Sequence, residues 1–225
     1  TLPQIVSSDA KSVTLKLTAA ENKYIEYTYT LQPGKYQVDL NINLDGLNDI
    51  STKRRGIIDL DWSYYCPQQE KGRDNELQYT SLYYKPYQED VDFLNARSKK
   101  DVTPENIPTK VEWIAYKDQF FSSVIMADSA FNDAIIEMHN QPENSRYLKR
   151  FKSSIGLVFE SSVKQTIPVH FYFGPNKFKL LKSQYGEKHM HDLVSVGRGI
   201  IKWINQIVII KLFDFLNKYF MKEPK

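Results

Sequence analysis

Apolar and polar residues alternate with a period of two in two neighbouring segments near the start of the chain. In residues 23–31 the apolar face holds Ile25 and each second residue after it, and in residues 36–45 it holds Tyr36 and each second residue after it. Strict alternation is typical of a β-strand with one buried face. Residues 32–35 read Gln-Pro-Gly-Lys, which favours a type II turn because proline presets the first turn angle and glycine accepts a positive φ. The pattern therefore predicts a β-hairpin.

Seven further segments are predicted to be strands, with polar loops between them. The strands cover residues 57–64, 76–84, 111–116, 119–127, 134–138, 154–159 and 168–173. Loops are predicted at residues 66–75, 87–110 and 139–149, with a short helix within residues 90–97 and another at residues 176–184. Many strands without alternating helices indicate an antiparallel, all-β sandwich. The residues that we expect to be buried in it include Ile25, Tyr27, Val38, Leu40, Ile42, Trp113 and Phe171.

After Gly199 the apolar period changes to that of an amphipathic helix. One stripe holds Ile200, Ile201, Trp203, Ile204, Ile207 and Val208, and a second, rotated stripe holds Leu212, Phe215, Leu216 and Tyr219. Lys202, Lys211, Asp214 and Lys218 interrupt the run, so it lacks the roughly 18 uncharged apolar residues of a membrane span. We predict two helical segments that meet near residues 209–211. The first packs on the sandwich and the second lies toward a bilayer surface; the alternative is a helix packed wholly on the sandwich.

Composition excludes some classes of protein. The chain has 225 residues, of which 41% are hydrophobic and 25% charged, so it can form a packed core. A net charge of +3 gives no reason to expect a nucleic-acid partner. Cys66 is the only cysteine, so the sequence contains neither an internal disulfide nor a pair of cysteine metal ligands.

Three groups of residues are candidates for a metal-binding or catalytic site. His189 and His191 could share one face of a strand, but we expect solvated loop histidines because no third metal ligand is evident. Asp59 and Asp61 alternate with apolar neighbours, which favours a solvated sheet face over a glycosidase pair. His170 with Glu160 is the pair that a sugar epimerase would need, although their spacing gives no support for it.

A basic cluster of Lys149, Arg150 and Lys152 is predicted to lie in a solvated loop, with lipid headgroups as the alternative contact.

Three aromatic or glycine-containing segments follow one another along the chain. They are residues 113–122 (Trp-Ile-Ala-Tyr-Lys-Asp-Gln-Phe-Phe-Ser), residues 171–175 (Phe-Tyr-Phe-Gly-Pro) and residues 194–204, in which two glycines precede an apolar helix. In order and spacing they resemble the signature of the periplasmic domain of YidC-type membrane protein insertases. The residues that carry the resemblance are Trp113, Phe120, Phe121, Phe173, Gly174, Pro175, Gly197 and Gly199.

The resemblance implies a β-super-sandwich of the galactose-mutarotase-like kind over residues 1–198, and an amphipathic helix over residues 199–225 that leads toward a transmembrane core. It implies an accessory domain without catalytic residues, metal or cofactor, at the periplasmic face of the bacterial inner membrane. The implied partners are nascent membrane proteins, components of the Sec translocon and the bilayer surface, and the fragment itself is expected to be monomeric. The residues expected to contact membrane or partner are Trp203, Ile204, Ile207, Lys211, Leu212, Phe215, Leu216 and Lys218.

Two residues depart from the family pattern. Arg198 stands where an aromatic residue is frequent, and Lys211 stands where proline is frequent. Both concern the C-terminal helix rather than the sandwich. A second class of function remains open on the same fold, namely a carbohydrate-binding or sugar-epimerising protein, since one sandwich can host many functions. A cleft lined by aromatic groups without convergent acids favours the insertase class, and one lined by His170 and Glu160 favours the sugar class.

Overall fold

The computed structural model describes residues 3–47, 56–160 and 164–194. By its contacts the chain divides into two compact units, Thr1–Asn176 and Lys177–Lys225. Every strand within the described residues belongs to the first unit, and strand pairs are antiparallel throughout. The all-β, antiparallel class predicted from the sequence is therefore confirmed.

The larger sheet has nine strands in the order β1-β2-β3-β4-β13-β10-β9-β6-β7. Their bounds are β1 Gln4–Ser8, β2 Ser12–Ala20, β3 Lys23–Leu31, β4 Gln37–Asp45, β6 Ser81–Pro86, β7 Asp92–Phe93, β9 Val111–Lys117, β10 Phe121–Phe131 and β13 Gln165–Pro175. The smaller sheet has four strands in the order β5-β12-β11-β8. Their bounds are β5 Ile57–Pro67, β8 Val102–Ile107, β11 Asp133–Asn140 and β12 Tyr147–Val158.

Helices are short within the part of the chain that the structure describes. Helix α1 spans Arg73–Leu77, α2 spans Phe178–Tyr185, and a 3₁₀ helix spans Met190–Leu193. None of these described helices has the length and apolar character that crossing a membrane requires.

The predicted hairpin is present as β3 and β4, with Tyr29 opposite Leu40. Its turn closes through a hydrogen bond from the Lys35 amide to the Gln32 carbonyl of 3.1 Å, and Gly34 has a φ of 71°. A positive φ at the third turn position is the reason for glycine there. The alternating pattern and the turn chemistry thus agree on the same local structure.

Several predicted boundaries were wrong. Residues 76–80 belong to α1 and the turn after it, so the strand begins at Ser81 instead. The expected loop at residues 87–110 contains β7 and β8, and the helix expected within residues 90–97 is absent from this described segment. Strand β8 was not predicted because it is polar and largely exposed and contains Pro104. It is an edge strand, where proline is tolerated. Strands β1 and β2 were not predicted, and β12 begins seven residues earlier than expected, at Tyr147.

A stack of aromatic rings joins the two sheets in the core, and we refer to it as the aromatic column. Tyr116 of β9 stacks on Trp62 of β5, with ring centroids 4.0 Å apart, and on Phe151 of β12 at 5.1 Å. Phe171 of β13 meets Trp62 edge-on at 5.9 Å. The buried Tyr116 hydroxyl donates to the Trp62 carbonyl at 2.8 Å and lies 2.8 Å from the Ser153 hydroxyl. Burial raises the pKa of Tyr116, so the hydroxyl stays neutral.

The residues expected to be buried fall into two groups. Leu40, Ile42 and Trp113 are buried. Ile25, Tyr27 and Phe171 are partly buried and pack against the core, and Val38 is half-buried. The predicted inward face is thus correct, while its outer members keep some exposure because they lie away from the centre of the smaller sheet.

Three lysines are buried within the described part of the sandwich: Lys85 pairs with the Glu112 carboxylate at 3.2 Å, and the other two bind backbone carbonyls. Lys149 of β12 donates to the Ala96 carbonyl at 2.7 Å and lies 3.4 Å from the Met138 sulfur, so its place is in the core and not in the solvated loop predicted from the sequence. Lys117 of β9 donates to the Tyr79 carbonyl at 3.1 Å. Burial lowers the pKa of the Lys149 and Lys117 ammonium groups from 10.5 to about 8.

Lys117 and Lys149 predict an unusual dependence of stability on pH. The unfolded chain retains both protons up to about pH 10, whereas the folded chain releases them near pH 8, so folding becomes more favourable as pH rises through this window. The raised pKa values of Cys66 and Tyr116 act in the opposite direction above about pH 9 to 10. We expect the free energy of unfolding to increase from pH 8 to pH 9 by about 1 kcal/mol per lysine.

Lys149→Met should reduce this increase by about half, because Lys117 remains. The measurement is urea unfolding at pH 8 and pH 9. Lys152→Met, at a more exposed lysine of the same strand, is the control and should leave the difference between the two pH values unchanged. Equal differences in the wild type and in Lys149→Met would contradict the assignment.

Candidate functional site

A cleft of about 480 Å³ opens where the β9–β10 turn lies beside the end of β13, and we call it the aromatic cleft. Its walls carry aromatic rings, and its rim carries polar groups. The lining residues are Tyr64, Gln69, Glu70, Glu76, Tyr116, Asp118, Phe120, Phe121, Ser122, Ser123, Phe173 and Gly174. All of them belong to the first unit of the chain.

Three phenylalanines in this cleft are exposed to solvent. The exposed fraction is 55% for Phe120, 63% for Phe121 and 48% for Phe173. Tyr64 adds a fourth partly exposed ring, and partial burial raises its pKa to about 12. Single exposed apolar residues are ordinary, but several around one concavity mark a surface for binding.

The turn that carries Phe120 is held by one side chain. Asn176 donates from its amide nitrogen to the Asp118 carbonyl at 2.9 Å, and its backbone amide donates to the Phe120 carbonyl at 2.7 Å. The Ser122 hydroxyl donates to the Asn176 side-chain oxygen at 2.6 Å. The turn closes through a bond from the Asp118 amide to the Phe121 carbonyl of 2.9 Å. The exposed rings are therefore presented on an ordered backbone. A role for Asn176 was not predicted, because no periodicity distinguishes this residue in the sequence.

Gly174 has a steric reason to lack a side chain. A Cβ atom there would lie 2.6 Å from the Tyr172 ring and 2.8 Å from the Tyr36 Cβ. The Tyr172 hydroxyl donates to the Pro175 carbonyl at 2.8 Å, which holds the ring over the glycine. Gly174 and Pro175 are buried, as is Trp113, so these family-signature residues form the support of the cleft.

Two of the three acids that line the cleft are engaged in local structure, and the third, Glu70, is exposed. The buried Glu76 carboxylate accepts the Gln69 amide at 3.0 Å and the Glu70 amide at 3.0 Å. Asp118 accepts the Thr80 hydroxyl at 2.8 Å and the Gln119 amide at 2.7 Å. These bonds fix the two loops beside the cleft, so both carboxylates act as structural acceptors.

His170 lies between two aspartates rather than beside Glu160. Its Nδ1 is 2.6 Å from Asp39 and its Nε2 is 2.6 Å from Asp128. Burial alone would raise the pKa of Asp39, but hydrogen bonds from Gln37 and His170 outweigh it and lower that pKa. The Glu160 backbone amide instead donates to the Gln165 side-chain oxygen at 2.9 Å. The geometry gives the epimerase pair no support.

Asp59 and Asp61 are both exposed on β5, as expected of a solvated sheet face. Gly197, Gly199 and the eight residues predicted to contact membrane or partner lie outside the described residues. That group consists of Trp203, Ile204, Ile207, Lys211, Leu212, Phe215, Leu216 and Lys218.

The fold and cleft define a β-sandwich domain with a cleft lined by exposed aromatic residues. The family model described as the YidC periplasmic domain matches residues 4–210. The chain therefore belongs to the YidC periplasmic domain family, and its place is at the periplasmic face of the bacterial inner membrane.

Curated relatives agree with this family. The chain is 38% identical over 221 residues to the membrane protein insertase YidC of Parabacteroides distasonis, 36% over 214 residues to that of Phocaeicola vulgatus, and 33% over 218 residues to that of Bacteroides fragilis. These alignments cover 96%, 92% and 95% of the chain, but 34%, 34% and 35% of the relatives. The chain thus spans about a third of the length of these relatives.

Among solved structures, the glucosidase II alpha subunit is similar with a TM-score of 0.36 and 10% identity, over 82% of this chain and 24% of that one. This likeness adds nothing to the assignment.

The packing around Gly174 generates a prediction about the support of the cleft. Gly174→Ala should lower the free energy of unfolding by about 1–3 kcal/mol, because the new methyl group overlaps the Tyr172 ring. Gly72→Ala is the matched control, since its Cβ would meet a neighbour at an ordinary 3.6 Å, and its effect should stay below about 0.5 kcal/mol. Denaturant unfolding measures the free energy of unfolding of both variants. Equal effects would show that the Tyr172 ring moves aside at little cost.

Proposed function

We propose that this domain is a non-enzymatic accessory part of a membrane protein insertase, and that the aromatic cleft holds apolar segments of nascent inner-membrane proteins. It acts at the periplasmic face of the membrane, alone or beside the Sec translocon. The observation that carries the proposal is the group of exposed rings, Phe120, Phe121 and Phe173, around one cleft of a chain that belongs to this family.

The chemistry of the cleft suits an apolar chain that passes through rather than a ligand that stays. Each phenylalanine ring that becomes buried contributes at most about 1.5–3 kcal/mol. Ordering a flexible partner offsets much of that gain, so the complex is expected to be weak and transient. Gln69, Ser122 and Ser123 on the rim offer hydrogen bonds to a passing backbone.

A sugar ligand fits the same cleft less well. Sugar recognition depends on convergent polar groups, whereas Glu76 and Asp118 already accept hydrogen bonds from the neighbouring loops. His170 is paired with Asp39 and Asp128 and does not line the cleft. These contacts favour the insertase class over the carbohydrate class, and they support the proposal of a domain without turnover.

The C-terminal helix predicted from the sequence is the second part of the proposal. The apolar stripe of Leu212, Phe215 and Leu216 lies among lysines, a pattern that suits the interface of an anionic bilayer. Each lysine close to such a surface adds about 1 kcal/mol of attraction. We therefore assign the second helical segment to the bilayer surface or to the transmembrane part of the insertase.

A photo-crosslinking residue in place of Phe121 of this domain, carried in the complete insertase within cells that are synthesising membrane proteins, tests the cleft. We expect crosslinks to nascent inner-membrane proteins, and we expect them to be lost on Phe120→Ser with Phe173→Ser. Position 135 is the matched control, because Ile135 is an exposed apolar residue (53%) on β11 outside the cleft. Equal crosslinking from positions 121 and 135 would contradict a specific role for the cleft.

Co-sedimentation with anionic vesicles tests the helix. The chain of 225 residues should bind more strongly than a version ending at Ile210, and Phe215→Glu should weaken its binding to the level of the shorter version. Neutral vesicles serve as a control for the lysine contribution. Equal binding of the two lengths to anionic vesicles would remove the membrane role assigned to the last turns.

A further inference from the structure

Two histidines and an aspartate converge at the 3₁₀ helix of the second unit. His189 precedes this helix, and His191 and Asp192 lie within it. One ligand atom from each of the three side chains lies within 4.8 Å of the other two. Within residues 3–47, 56–160 and 164–194, no other three His, Cys, Asp or Glu side chains meet this condition.

The backbone of this segment is fixed before any ligand arrives. The His189 amide donates to the Gly186 carbonyl at 3.1 Å, and the Asp192 amide donates to the His189 carbonyl at 3.0 Å. His189 has a φ of 55°, a left-handed conformation that is uncommon for residues other than glycine. Met190 and Leu193, which flank the two other ligands, are buried and anchor the turn.

The distances between these three side chains suit coordination of one ion better than they suit direct hydrogen bonds. His189 Nδ1 lies 3.6 Å from Asp192 Oδ2, which is too long for a hydrogen bond. Two ligands on one tetrahedral zinc ion, each at about 2.0–2.1 Å, are separated by about 3.3 Å. The imidazole rings of His189 and His191 are nearly parallel, with centroids 5.8 Å apart. Small rotations of exposed or half-buried side chains would bring all three ligand atoms to one point.

The other histidines of the described chain show the contrast. His139 pairs with Glu137 at 2.8 Å and forms a group of two. His170 contacts two aspartates, but through opposite nitrogens of its ring, so no single ion could reach both carboxylates and the ring. At His189, His191 and Asp192, by contrast, one ligand atom from each side chain lies within 4.8 Å of the other two.

We propose that His189, His191 and Asp192 form a binding site for one divalent transition-metal ion, of which zinc is the best match. Imidazole and carboxylate ligands suit zinc, nickel and copper, and three protein ligands leave one position for water. The ion ties the turn after α2 to the 3₁₀ helix and stiffens residues 186–194. Phe178 of α2 meets the His191 ring edge-on at 5.5 Å and holds that ligand in place.

Titration of the tag-free chain of 225 residues with Zn²⁺ tests the site by calorimetry, and Co²⁺ serves as a spectroscopic substitute. We expect one ion per chain, a visible Co²⁺ spectrum typical of four ligands, and a rise in melting temperature with Zn²⁺. His189→Gly suits the positive φ and removes an exposed ring, so folding is preserved. It should weaken binding by about tenfold or more, as should Asp192→Asn.

His139→Ala is the matched control, because it removes a histidine that also faces a carboxylate, and it should leave the affinity unchanged. Circular dichroism verifies that each variant is folded. Binding that is equally strong in His189→Gly and Asp192→Asn would overturn the site. A ratio of one ion per two chains, with dimers in size-exclusion chromatography, would assign the ion to a contact between copies and would also overturn it.

Discussion

The stack of Trp62 on Tyr116 is the contact on which the sandwich depends. It joins β5, at the edge of the four-stranded sheet, to β9, the third strand from one edge of the nine-stranded sheet, at a centroid separation of 4.0 Å. Phe151 and Phe171 extend it within the aromatic column, again one from each sheet. A buried tyrosine is tolerated there because its hydroxyl bonds to Trp62 and Ser153 on the facing strands. These directional hydrogen bonds, together with the apolar contacts, fix how the two sheets are aligned on each other.

Buried charge imposes a second constraint on the same core. An ammonium group without a counter-charge is costly in a low-dielectric interior, and the lowered pKa values of Lys117 and Lys149 express that cost. Each lysine reduces it by donating to a backbone carbonyl of a connecting segment, Tyr79 or Ala96. The buried Glu76 does the reverse and accepts from backbone amides. Lys117, Lys149 and Glu76 therefore supply hydrogen-bond partners to the backbone of connecting loops, which the strands alone would not supply, and so they order those loops.

The sequence predicted those features that depend on local pattern. The β3–β4 hairpin followed from alternation and from the Pro33-Gly34 turn, and the family followed from three spaced segments. What failed depended on tertiary context. Lys149 was predicted to be solvated because a lysine in a short basic cluster with Arg150 and Lys152 gives no sign that it points inward. The closeness of Asp192 to His189 and His191, on which the proposed metal site rests, depends on the 3₁₀ turn and was not evident from the sequence.

The aromatic cleft is best understood as the exposed end of the aromatic column. Phe171 and Phe173 lie two residues apart on β13, so they share one face of the strand, and their rings stack at 5.7 Å. Phe171 is packed against the core, whereas Phe173 extends beyond that cover and is exposed. Tyr116 likewise belongs to the column and to the lining of the cleft.

Because Tyr116 belongs to both the column and the cleft lining, a substitution of Tyr116 changes both stability and the cleft. A substitution at Phe120 or Phe121, which project from the turn into solvent, removes binding surface with little loss of packing. Variants at Tyr116 and at these two phenylalanines therefore distinguish the structural role of the cleft from its proposed role in contacting nascent chains.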